Sequence, residues 1–169
     1  MSKMGVQGVA VPRFRPSVLL EGRQRAQLTQ LELATLAEEA ARAARQPVSK
    51  GDPAEERTRR VSAWENRIGA WERGIDSPSA TYIPTLARVL GVAPLALLDV
   101  DPAAPPFTAL RMAAGLTLQA LSEETGISYT SLHRMVRGVA RVPDDAAARL
   151  AAALGVTPAE LRASIDRNR

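Results

Sequence analysis

The sequence predicts an all-α protein made of two small helical domains in tandem, the first enlarged by a helical insertion. Three observations lead there. Aromatic residues make up only 4% of the 169-residue chain although 46% of it is hydrophobic. Alanine and leucine therefore carry the apolar content, which favours helices over strands rich in β-branched and aromatic residues. A proline-rich stretch, Asp99-Val-Asp-Pro-Ala-Ala-Pro-Pro106, separates two helical regions. The regions on either side then look alike: Leu86-Ala-Arg-Val-Leu-Gly-Val92 returns as Leu150-Ala-Ala-Ala-Leu-Gly-Val156, the mark of an internal repeat. The organisation expected is a tail over residues 1–15, a first domain over 16–100 with an insertion at about 41–60, a linker over 101–106 and a second domain over 107–169.

In the first half, a helix beginning near Leu28 can continue through Glu38-Glu-Ala-Ala-Arg-Ala-Ala-Arg45, all good helix formers, until Pro47 ends it. Asp52-Pro53-Ala54-Glu55 is a fresh helix start. Val61, Trp64, Ile68 and Trp71 fall on one helical face, so a single long helix from Pro53 to Arg73 is expected; a break at Ser62, which forms a capping box with Glu65, is the alternative. Both tryptophans are read as core. The proline-rich linker is expected to be extended and semi-rigid.

The second half punctuates itself. A short helix ending at Ala114 is stopped by Gly115, and Thr117 caps a second that runs to about Thr125. Gly126-Ile127-Ser128 makes a tight turn, and Ser128 caps a third helix that ends near Arg137-Gly138. Asp144 or Asp145 opens a fourth, stopped by Gly155. Thr157-Pro158-Ala159-Glu160 opens a fifth, with threonine at the N-cap, proline at N1 and glutamate at N3.

Composition excludes several function classes. With no cysteine and a single histidine, His133, disulfides, thiolate metal sites, histidine clusters and most acid–base triads are out of reach. No nucleophile–base pair or phosphate loop is visible, so no enzyme, metal or cofactor is expected. No apolar run approaches the roughly 20 residues needed to span a bilayer, and residues 1–15 lack the pattern of a secretory signal. A cytoplasmic, nucleoid-associated protein is the expectation. The formal charge of +4 suits an anionic partner, and only Lys3 and Lys50 among the cations are not arginine. Arginine forks phosphate and guanine bidentately; a GC-rich genome would favour the same residue.

Leu116-Thr-Leu-Gln-Ala-Leu-Ser122, Thr125-Gly-Ile-Ser128 and Leu132 to Gly138, followed by Leu150 to Val156, resemble the Cro/phage-repressor (XRE) helix-turn-helix family of bacterial regulators. Leu28-Thr-Gln-Leu-Glu-Leu-Ala34, Ile68-Gly-Ala-Trp-Glu-Arg-Gly74 and Leu86 to Val92 resemble the same family. The resemblance implies two five-helix, lambda-repressor-like helix-turn-helix domains. The pieces are spaced differently: Ser122 to Leu132 spans 10 positions and Ala34 to Ile68 spans 34, so 34 − 10 = 24 residues are inserted at the first turn. These would lengthen both helices of the motif into a projecting hairpin. The second domain departs from the family in carrying Leu118 where glutamine is usual and Val136 where glutamate is usual, which points to weaker DNA binding there.

In this family the third helix lies in the major groove. The resemblance implies double-stranded DNA as the partner and a transcriptional repressor or other regulator as the function. The first-domain contacts would be Gln30, Ser62, Glu65, Asn66, Arg67, Gly69, Ala70 and Arg73. Asparagine can pair adenine, arginine can pair guanine, and glycine or alanine allows close approach. Those of the second would be Thr130, Ser131, His133, Arg134 and Arg137. Arg57, Arg59 and Arg60 are assigned to phosphate contact; pairing with Glu38, Glu39, Glu55 and Glu56 is the alternative. Polar residues opposite an apolar stripe are otherwise a solvated face. Arg13 and Arg15 are read as part of a disordered tail, with a minor-groove arm as the alternative. The competing function is one DNA-binding head plus a head or hairpin that binds protein, either a second copy of the chain or another partner.

Overall fold

The computed structural model describes residues 11–45 and 54–167. It is all-helical, without a β-strand among those residues, and none of their helices is long and apolar enough to cross a membrane. The chain divides into two compact units, Phe14–Leu97 and Leu98–Arg169, with the segment up to Arg13 counted in the latter.

The first unit contains α1 (Pro16–Arg25), α2 (Gln30–Arg45), α3 (Ala54–Glu72) and α4 (Ile83–Leu90), with short 3-10 turns at Ala80–Tyr82 and Pro94–Leu97. Leu19, Leu33, Ile68, Ile83, Leu86 and Leu97 are fully buried between these elements. At the start of α2, Glu32 N–H donates to Thr29 Oγ1 at 3.1 Å and Thr29 N–H donates to Glu32 Oε2 at 2.8 Å. Reciprocal bonds of this kind satisfy donors that the first helical turn leaves open. Helix α3 runs unbroken past Ser62, as the apolar spacing predicts, because Val61, Trp64, Ile68 and Trp71 are all buried along one face. Trp64 and Trp71 meet edge to face at 6.2 Å, and Tyr82 packs on them with ring centres at 5.0 and 5.2 Å. The helix end expected at Pro47 and the start expected at Asp52-Pro53 lie outside the described residues.

Two local expectations change. The fifth element of the first unit is the four-residue 3-10 turn Pro94–Leu97 instead of an α-helix. Leu97 is fully buried and its carbonyl accepts from Arg15 N–H at 2.9 Å, which draws the chain out of the helix after one turn. The linker is not extended throughout. Asp101 folds it, its carbonyl accepting from Ala104 N–H at 3.1 Å and its Oδ1 from Ala103 N–H at 2.9 Å. An aspartate before proline does this because its carboxylate replaces a backbone acceptor while proline presets the next φ. Residues 1–10 of the expected tail lie outside the described residues; Arg13 is held where its carbonyl accepts from Asp99 N–H at 2.8 Å, and Phe14 is buried.

The second unit holds α5 (Phe107–Ala113), α6 (Leu118–Thr125), α7 (Tyr129–Val136), α8 (Asp144–Leu154) and α9 (Pro158–Asp166). Helices α6, α7 and α9 start on side-chain caps, whereas α5 and α8 follow Pro106 and Pro143. Thr117 Oγ1 accepts from Ala120 N–H at 3.0 Å, Ser128 Oγ from Ser131 N–H at 3.3 Å, and Thr157 with Glu160 closes a full capping box. Phe107, Leu121, Leu132, Leu150 and Leu161 form the centre of the core. Helix α6 packs on α7 and α8, and α9 on α5 and α8.

Candidate nucleic-acid interface

Helix α7 separates its faces cleanly. Leu132, Met135 and Val136 point into the core, while Thr130, Ser131, His133, Arg134 and Arg137 are exposed. The three-residue turn 126–128, opened by Gly126 with φ of 67°, lets α7 leave α6 abruptly, and Arg149 Nη1 closes the end of α6 by donating to Thr125 O at 2.8 Å. All five residues expected on this face are thus brought together. The Ser131 hydroxyl is partly engaged, accepting from Ser128 Oγ at 2.8 Å. Sequence reasoning missed Tyr129, an exposed ring stacked on His133 with centres 6.1 Å apart. Its place at the first turn of α7, one helical turn before His133, was the available signal.

The first unit presents its expected residues less uniformly. Ser62 and Asn66 are exposed on α3 and Arg73 is exposed just past its end, while Glu65 and Ala70 are half-buried. Arg67 is exposed with its guanidinium 5.4 Å over the Tyr82 ring. Gly69 is a correction: it is buried, and a Cβ there would lie 3.2 Å from an Arg73 nitrogen and 3.5 Å from Gln30 Oε1. Its missing side chain makes room for Gln30 and Arg73, not for a base edge. Gln30 is also partly committed, since its Nε2 donates to Glu72 Oε2 at 2.7 Å. Glu72 is the organising group. Its carboxylate takes Arg23 Nε at 2.6 Å and Arg23 Nη2 at 3.0 Å, and Arg23 Nη1 donates to Leu28 O at 2.9 Å. The bond to Glu72 raises the Arg23 pKa.

The basic residues of the hairpin do not present a common surface. Arg57 Nη2 donates to Glu39 Oε1 at 2.6 Å. Arg60 Nε bonds Glu38, and Arg60 Nη1 lies 3.3 Å from Glu56. Glu38 is buried and also accepts from Trp64 Nε1 at 3.2 Å. The structure thus has Arg57 and Arg60 in the alternative pairing, with carboxylates of α2: Arg60 supplies the counter-charge that the buried Glu38 needs, and Arg57 meets the exposed Glu39. Arg59 is exposed.

In the second unit the arginine corresponding to Arg23 is Arg111, whose Nη1 donates to Leu116 O at 2.6 Å. The position of Glu72 is taken by Val136 and that of Gln30 by Leu118. Burial lowers the pKa of Arg111, and the Tyr129 hydroxyl opposes that shift. Among the described residues no group of three or more His, Asp or Glu side chains is placed to hold a metal.

Residues 107–164 match the family model of a helix-turn-helix domain. The matched residues run from the first residue of α5 into α9, so the second unit carries the match. The chain matches no curated protein and no solved structure. A helix-turn-helix domain of this kind is a DNA-binding module, and the exposed face of α7 is its third helix.

Proposed function

We propose that the protein is a sequence-specific regulator of transcription that reads the major groove of double-stranded DNA with α7 and, in a second helix-turn-helix domain of the same kind, with α3. The domains would be residues 16–100 and 107–169, joined by 101–106, and the contacts those named above apart from Gly69, Arg57 and Arg60. The observation that carries this reading is α7 itself: His133, Arg134 and Arg137 stand exposed on the outer face of the third helix of a helix-turn-helix domain. Backbone phosphates supply the affinity and base edges the specificity. The test is duplex binding by the purified chain, measured by fluorescence anisotropy against genomic fragments at several salt concentrations. Affinity is expected to fall with salt at a log–log slope of roughly −0.9 per phosphate contacted. A flat response would rule the reading out.

A second reading has its own support. The hairpin leaves Leu31 and Leu36 exposed on α2 while its arginines Arg57 and Arg60 face carboxylates. A surface of that kind fits a protein partner better than a polyanion. In this version α7 binds DNA and the hairpin holds a second copy or another protein. Replacing Leu31 and Leu36 by serine separates the two: loss of self-association with DNA affinity per chain retained favours the protein-binding hairpin.

A further inference from the structure

The surroundings of Arg111 carry an inference that is independent of DNA. In the first unit, the corresponding arginine is neutralised by Glu72, to which it donates two hydrogen bonds, and Gln30 braces that carboxylate with a third. In the second unit the cation is kept, while both the carboxylate and its brace have become hydrocarbon, Val136 and Leu118. What remains in their place is a cavity of about 180 Å³ whose walls include Arg111, the apolar side chains of Val11, Phe107, Leu118 and Val136, and the polar side chains of Thr108, His133 and Arg137. Arg111 is half-buried, and among the described residues it donates to one backbone carbonyl, that of Leu116, through one of the five N–H donors a guanidinium offers. Residues 1–10, which precede the cavity-lining Val11, contain no aspartate or glutamate that could serve as the missing carboxylate. A guanidinium in an apolar recess disfavours its own charge and is matched best by a planar anion that accepts two parallel bonds.

We propose that this cavity binds a small organic monocarboxylate with a compact hydrocarbon body. The carboxylate sits on Arg111, where Glu72 sits on Arg23. The hydrocarbon lies against Phe107, Leu118 and Val136, the chemistry of a ligand pocket with few polar groups and apolar walls.

The test uses the full chain, with sodium benzoate and sodium isovalerate as probes and benzamide and sodium chloride as controls at matched ionic strength. Binding is followed by calorimetry and by the shift in Tm. Benzoate or isovalerate is expected to raise Tm and benzamide to leave it unchanged. Val136→Glu supplies the carboxylate from within, so it is expected to raise Tm without ligand and to weaken benzoate binding by about tenfold or more. Arg111→Met removes the cation and is expected to abolish carboxylate binding; it decides the matter should Val136→Glu fail to fold. Equal binding of benzamide and benzoate, undiminished benzoate binding in either variant, or no response to either carboxylate would overturn the proposal.

Discussion

The arginine at the end of the first helix makes the same bond in both units, to the carbonyl five residues on, and little else about it is shared. Arg23 is part of a closed polar cluster with Glu72 and Gln30. Arg111 faces Val136 and Leu118 across an open recess. The helices around the two are alike, so the cluster is not what makes the fold. It stiffens the junction of α1, α2 and α3 in one unit, whereas the other relies on the Phe107–Leu121–Leu132–Leu150 core. Conserving a cation while dropping its counter-ion separates two roles that the first unit merges: closing a helix end and pairing charge.

The comparison is broken most sharply at Glu72. Glu72→Leu leaves Arg23 inside without a counter-charge and is expected to destabilise the first unit by about 3 kcal/mol. Adding Arg23→Met should recover most of that loss, since a hydrocarbon pair is often neutral in place of a buried ion pair. Urea unfolding of both variants checks this; a Glu72→Leu protein as stable as the parent would mean that the cluster is ornamental.

Next in size is the ranking of the two heads on DNA. Arg73→Ala and Asn66→Ala are each expected to cost about 1–3 kcal/mol at a cognate site if they make bidentate base contacts. Arg134→Ala should cost less, because Leu118 cannot replace the contact of a helix-initial glutamine. Anisotropy titrations of the three variants give the order directly, and a larger loss for Arg134→Ala would reverse the ranking.

The hairpin, which only the first unit has, offers a smaller contrast. Arg60→Ala strips Glu38 of its main partner and is expected to cost about 1–2 kcal/mol of stability. Arg59→Ala should leave stability unchanged, and it flattens the salt slope of DNA binding only if Arg59 meets phosphate. Thermal melts alongside salt titrations distinguish a structural arginine from an interfacial one.

The smallest effect concerns a feature the units share. Glu32 and Glu160 both have a lowered pKa, first through the bond from the backbone N–H of Thr29 or Thr157 and then through that threonine's hydroxyl. A carboxylate whose folded pKa is depressed contributes its stability above the unfolded value, near 4.3, and loses it as pH falls through the folded value. Tm should therefore decline on acidification below about pH 4.3, and less so in a Thr29→Ala or Thr157→Ala protein. Equal acid sensitivity in parent and variants would assign the decline to other carboxylates.

What the sequence disclosed follows the range of the forces involved. The helices of the second unit were legible to within a residue or two because Thr117, Ser128 and Thr157 act on donors two or three positions away. The unbroken α3 was legible because four apolar side chains keep helical register across Ser62. The exposed face of α7 followed from the same spacing. For Arg57 and Arg60 the sequence offered pairing with carboxylates as the alternative but could not choose it: Glu39 and Glu38 lie 18 and 22 positions away, and only the packing of α2 on α3 sets their register. Gly69 escaped because its role belongs to two other side chains that fold over it. The extended linker was read from proline content, while Asp101, a single polar side chain, turned it. The substitution at Val136 stood in the sequence, but the recess it leaves beside Arg111 exists only once α5, α6 and α7 have come together.

Both tryptophans of the chain, Trp64 and Trp71, lie in the first unit, packed with Tyr82, and the second unit has none. Light absorbed only by indole therefore interrogates one half of the molecule without a label. Peptide-bond dichroism, to which every helix contributes, reports on both halves. When the two signals are followed through the same denaturant titration, superposition means that the halves unfold as one thermodynamic body, and separation yields an individual midpoint for each. The uneven distribution of two side chains has given this protein a built-in observer of its own cooperativity.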